Sequence, residues 1–202
     1  MGTEKKSSGI FLVIVPHRDV RNEAQKYSSL LLNSGLKNVY SFPLVSPVAA
    51  LSRPLDAEEL KKTAHSLKDA MGNNKMYSKD AYSSSFADVF NLEDHLSAPG
   101  KTVNIFSLFG LRLETEITED AFSCIDKKLI KFFSPLLIGM FLIPEPFKKF
   151  SDFMEKNQER LRSPFLSFRS CAVSNMRWQS FEKNGETVFI WKIEKLFWLP
   201  KK

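Results

Sequence analysis

Proton transfer near neutral pH needs imidazoles, thiols or carboxyls held within reach of one another. The chain carries 3 histidines and 2 cysteines for that purpose. His17, with Arg18 and Asp19 beside it, directly follows the apolar run Ile10 to Val15 and Pro16. It therefore stands at the end of an expected strand, where α/β proteins often place their sites, although a solvent-facing loop histidine fits the same pattern. His65 lies between Ala64 and Ser66 on the polar side of a helical repeat and reads as a surface residue. His95 follows Asp88, Glu93 and Asp94, whose spacing matches no defined cation loop. Ser83-Ser84-Ser85 has no base partner and reads as a polar loop. Cys124 and Cys171 are too few for a disulfide framework and lack metal-ligand spacing, so buried thiols are expected. The chain contains no Gly-rich phosphate loop, no His-Glu-x-x-His and no cysteine pair at zinc spacing. The expectation is thus no metal, no cofactor and no assigned catalytic residue.

Cations form a second candidate set. Lys and Arg number 29 against 23 Asp and Glu, a net charge of +6, but the two signs are interspersed without a polybasic run. Arg112, Arg169, Arg177 and Lys192 are the candidates for phosphate contact, with Trp178 and Trp191 in the same C-terminal hairpin. Basic grooves with aromatic platforms are how sequence-tolerant single-stranded nucleic-acid binders work. An antiparallel hairpin with one wet face alternates charged and apolar residues in the same way.

The elements that would position these residues follow from periodicity. Ile10 to Val15 is a buried first strand; the preceding lysines imitate a secretory signal, but no small-residue cleavage site follows. Asp19 can cap a helix bearing Val20, Ala24, Tyr27 and Leu31 and ending at Ser34-Gly35. Val39 to Phe42 and Leu44 to Leu51 read as strands, with Pro43 and Pro47 implying edges or bulges. Asp56 and Glu59 form a capping box ahead of Leu60, Ala64, Leu67 and Met71. From Gly72 to Gly100 the pattern dissolves into a short strand near 75–78 and a long loop at 79–100. Thr102 to Leu113 reads as a strand, and Thr118 as the cap of a helix carrying Phe122, Ile125, Leu129 and Phe132. Pro135 to Ile143 is a further strand, Phe147 to Leu161 a helix, and Leu166 to Leu199 a hairpin turning at Asn184-Gly185.

This order predicts an α+β (mixed α/β) fold: one domain over residues 1–202, two pseudo-symmetric lobes of antiparallel sheet flanked by helices, with interleaved strands. The order resembles the two-histidine phosphoesterases, the LigT-like family that includes RNA cyclic phosphodiesterases. In that family each half supplies a His-x-Thr/Ser motif from a core strand facing a central cleft. The resemblance places the first motif in Phe42 to Val48, with Leu44 at the histidine position and Ser46 at the hydroxyl position. It places the second in Ser134 to Gly139, with Leu136 for histidine and Ile138 for the hydroxyl residue. Leucine neither accepts nor donates a proton, so the family's acid–base pair is absent from both positions. Strand parity would put Leu44, Ser46 and Val48 on one face and Leu136, Ile138 and Met140 on another, giving a mostly apolar pocket.

The resemblance implies a non-catalytic or divergent phosphoesterase-fold protein that binds a nucleotide, an RNA or a protein partner. Two alternatives stand beside it: an enzyme of different chemistry with its site moved to His17, Arg18 and the 79–100 loop, and a structural or dimerising protein with a Phe-rich surface. The longest other apolar run, Leu136 to Ile143, is far below the roughly 20 residues that span a bilayer, so a cytoplasmic location without a membrane partner is expected.

Overall fold

The computed structural model describes residues 4–18, 40–41, 43–71, 88–91, 107–112, 119–132, 137–143, 171–184 and 186–200, with isolated positions at Arg21, Asn22, Gln25, Ser29, Asn33, Asp152 and Lys156. Two antiparallel sheets and a long helix make the fold a mixed α+β one.

Strand β1 (Glu4–Val15) is the spine of the larger sheet. Its run Phe11 to Val15 is buried on both faces, as a continuous β-branched and apolar stretch requires. One edge of β1 pairs with β3 (Ser46–Leu51) and the other with β8 (Ala172–Lys183). β3 continues to β6 (Ile130–Phe132), and β8 to β9 (Glu186–Ile193) and β10 (Phe197–Trp198). The smaller sheet runs β2 (Tyr40–Ser41), β7 (Leu137–Ile143), β5 (Ser107–Arg112), β4 (Asp88–Asn91). Each sheet thus draws on both halves of the sequence, so the strands interleave.

Pro47 has a clear structural consequence. The register passes from Leu12↔Ala49 to Val13↔Pro47, so Val48 is an extra residue and β3 bulges. Along β8, Gly9 lies opposite Trp178, and a Cβ on Gly9 would lie 2.9 Å from the indole Cε2. The missing side chain lets the ring lie across the sheet, 1% exposed, in a cluster with Phe11, Val13, Val15, Val45, Ala172 and Met176. At the far end of β8, Lys183 pairs with Glu186 across the two-residue turn, and Asn184 adopts φ 53° as such a turn demands.

Helix α1 (Ala57–Met71) starts as expected. Asp56 Oδ1 accepts from the Glu58 and Glu59 N–H groups, each at 2.8 Å, and Glu59 Oε2 accepts from the Asp56 N–H at 2.8 Å. Leu60, Ala64 and Leu67 are its buried stripe.

Several expectations are corrected. The first helical segment already includes Arg18, and the Arg21 N–H donates to the His17 carbonyl, so the N-cap position belongs to His17 and not Asp19. The exposed polar residues Arg18, Asn22, Gln25, Ser29 and Asn33 mark its wet face; Val20, Ala24, Tyr27 and Leu31 lie outside the described residues. The helix expected after Thr118 is a 3₁₀ turn, Glu119–Phe122, followed by turns and then β6. Bonds of the i→i+3 type (Ser123 to Asp120, Ile125 to Phe122, Leu129 to Asp126) replace helical ones, and Asp126 Oδ1 takes the Lys128 N–H. Short polar side chains that bond their own backbone favour this over helix. Phe122 and Ile125 are still buried. The 79–100 segment holds strand β4, whose Val89 and Phe90 pair with Phe109 and Leu108. The expected strand at 75–78 lies outside the described residues.

Candidate functional site

The two strands expected to carry the degenerate motifs do meet. β3 and β7 belong to different sheets, yet their Cα atoms approach within 8 Å. Ser46 opens β3 opposite Ile14, and Ile138 lies in β7 opposite Leu111. Leu136 lies outside the described residues. Leu44 is half-buried in a bend ahead of the strand, where the Val45 N–H donates to the Pro43 carbonyl at 2.8 Å.

The expected grouping of Leu44, Ser46 and Val48 on one face fails for a physical reason. Leu44 precedes the strand, and the bulge at Val48 reverses parity beyond it. Ser46 pairs with Ile14, Ala49 with Leu12 and Leu51 with Ile10, so Ser46 shares its face with Ala49 and Leu51. Ser46 is 0% exposed and its Oγ has no hydrogen-bond partner among the described residues. A hydroxyl in that position neither activates a nucleophile nor orients a phosphate by itself.

His17 is half-buried at the end of β1, and Arg18 is exposed beside it. The described part of the 79–100 segment is β4, in the smaller sheet, where Asp88 pairs with Gly110; Ser83 to Ser85, Glu93, Asp94 and His95 lie outside the described residues. His65 is exposed on α1, its Nδ1 2.8 Å from the Lys61 carbonyl, as a surface histidine should be. Among the described residues no three His, Cys, Asp or Glu side chains gather as a metal site would require. The cysteines divide: Cys171 is buried, which pushes its thiol up to about 12, whereas Cys124 is exposed, contrary to expectation. The Thr63 hydroxyl, which donates to the Glu59 carbonyl at 2.7 Å, lies 3.7 Å from the Cys124 sulfur.

The basic and aromatic candidates are separated rather than combined. Arg112 ends β5 in the smaller sheet, whereas Arg177 and Lys192 are cross-strand partners in the larger one; Arg169 lies outside the described residues. Trp178 pairs with Trp191, one residue out of phase with Arg177 and Lys192, so rings and cations occupy opposite faces. Trp178 is buried, its Nε1 without a partner among the described residues, and Trp191 packs on it with centroids 6.4 Å apart. Phe189 stacks on Trp191 at 5.7 Å. These rings belong to the core cluster and its border, not to a base-stacking platform beside the cations.

Arg177 is itself engaged. Its Nε donates to Glu194 Oε1 in a very short contact, and Asn175 Nδ2 donates to the other carboxylate oxygen at 3.1 Å. Burial alone would raise the Glu194 carboxyl, but these two bonds, together with the nearby charges of Arg177 and Lys192, outweigh it and hold it below the usual range. Asn175 also ties down the approach to α1: its Oδ1 accepts from the Leu55 N–H at 3.1 Å and its Nδ2 donates to the Leu55 carbonyl at 2.8 Å. The amide imitates a strand partner for Leu55. Sequence reasoning missed this anchor; an asparagine within the apolar run Cys171 to Met176 was its signal. Ser174 adds bonds to the Asn175 and Lys195 carbonyls at 3.0 and 3.2 Å, where the chain bends between β9 and β10.

Among the described residues no helix is long and apolar enough to cross a membrane. No protein-family model matches the chain, no curated protein matches its sequence, and no solved structure matches its fold.

Proposed function

We propose that this chain is a non-catalytic relative of the two-histidine phosphoesterases that works by binding a protein partner. The observation that carries the reading is Ser46, which opens β3 fully buried, with no partner for its hydroxyl among the described residues. In the resembled family that strand presents an imidazole and a hydroxyl to a phosphate; here a half-buried leucine and an enclosed serine take those positions. The pseudo-symmetric two-lobe arrangement is part of the same proposal. The interleaving of strands between two antiparallel sheets and the approach of β3 to β7 support it.

Protein is favoured over RNA or nucleotide as the bound species because the hairpin directs its rings and its cations to opposite faces, with Arg177 held by Glu194. A single-strand binder needs both on one surface. The test combines hydrolysis of a 2′,3′-cyclic nucleotide with fluorescence anisotropy on a labelled single-stranded RNA at physiological salt. The expected result is no turnover above buffer and no saturable binding. Turnover abolished by Ser46→Ala, or RNA binding abolished by Lys192→Glu, overturns the proposal.

A further inference from the structure

We draw no further inference here: the strongest candidate, the solvent-exposed face of the β8–β9 hairpin around Phe181, Val188 and Ile190, carries none because nothing in the structure shows what covers it.

Discussion

Strands β3 and β9 invert each other's chemistry. β3 encloses a serine and a proline in a stretch buried from Ser46 to Ala49, and β9 leaves a valine and an isoleucine on the outside. Burial of a hydroxyl without a partner costs stability, and exposure of β-branched residues on a sheet face forgoes some. Together they contrast a strand enclosed on both its faces with a hairpin face that is exposed to solvent.

The sharpest way to break this contrast is to test whether the hairpin's inner side is core while its outer side is dispensable to the fold. Trp178→Ala removes the largest fully buried side chain and is expected to cost about 3–5 kcal/mol. Urea unfolding checks it, with Ile190→Ala as the comparison, expected within about 0.5 kcal/mol of the parent. A loss at Ile190 similar to that at Trp178 would mean the outer face is also core. Next in size, Asn175→Ala strands the buried Leu55 N–H and carbonyl and is expected to cost about 2–3 kcal/mol. Amide exchange would report it first at Leu55 and in the first turn of α1.

A smaller effect lies in the capping box. Glu59 is held down to about 2, chiefly by the Arg53 guanidinium bond and then by the Asp56 N–H. Its folded value is depressed, so its contribution is complete above its ordinary 4.5 and fades as pH falls towards 2. Glu59→Gln is expected to cost about 1 kcal/mol above pH 5, after allowance for solvent screening, and nearly nothing at pH 2. Chemical unfolding of both proteins across that range measures the convergence. The smallest effect carries a sign: Ser46→Ala removes a hydroxyl that has no partner and is expected to be neutral or stabilising by up to about 1 kcal/mol. A destabilised Ser46→Ala would mean that the hydroxyl serves the fold, and β3 would no longer contrast with β9.

What could be read from the sequence was what is decided within a few residues. The Asp56–Glu59 box and the Asn184-Gly185 turn depend on side chains bonding their own backbone or on one permitted φ, and both stand as expected. The spacing of Phe122, Ile125, Leu129 and Phe132 was misleading because a 3₁₀ turn leading into a strand also places apolar residues three and four apart. The candidate site was less legible still. Which residues share a face with Ser46 depends on a bulge that only the pairing with β1 defines. That Arg177 belongs to Glu194 depends on how β9 registers against β8.

The pairing of β1 with β8 also governs when this protein can fold. Its register runs from Glu4↔Glu182 to Val15↔Ala172, so β1 waits until β8 has been synthesised. At typical elongation rates that delay is roughly 10–30 s, during which the apolar run Ile10 to Val15 has no strand on its β8 edge. Contacts so distant in sequence also slow the search once both strands have been made. The larger sheet therefore closes only after β8 has been synthesised, and a nascent chain interrupted before Cys171 is a ready client for chaperones.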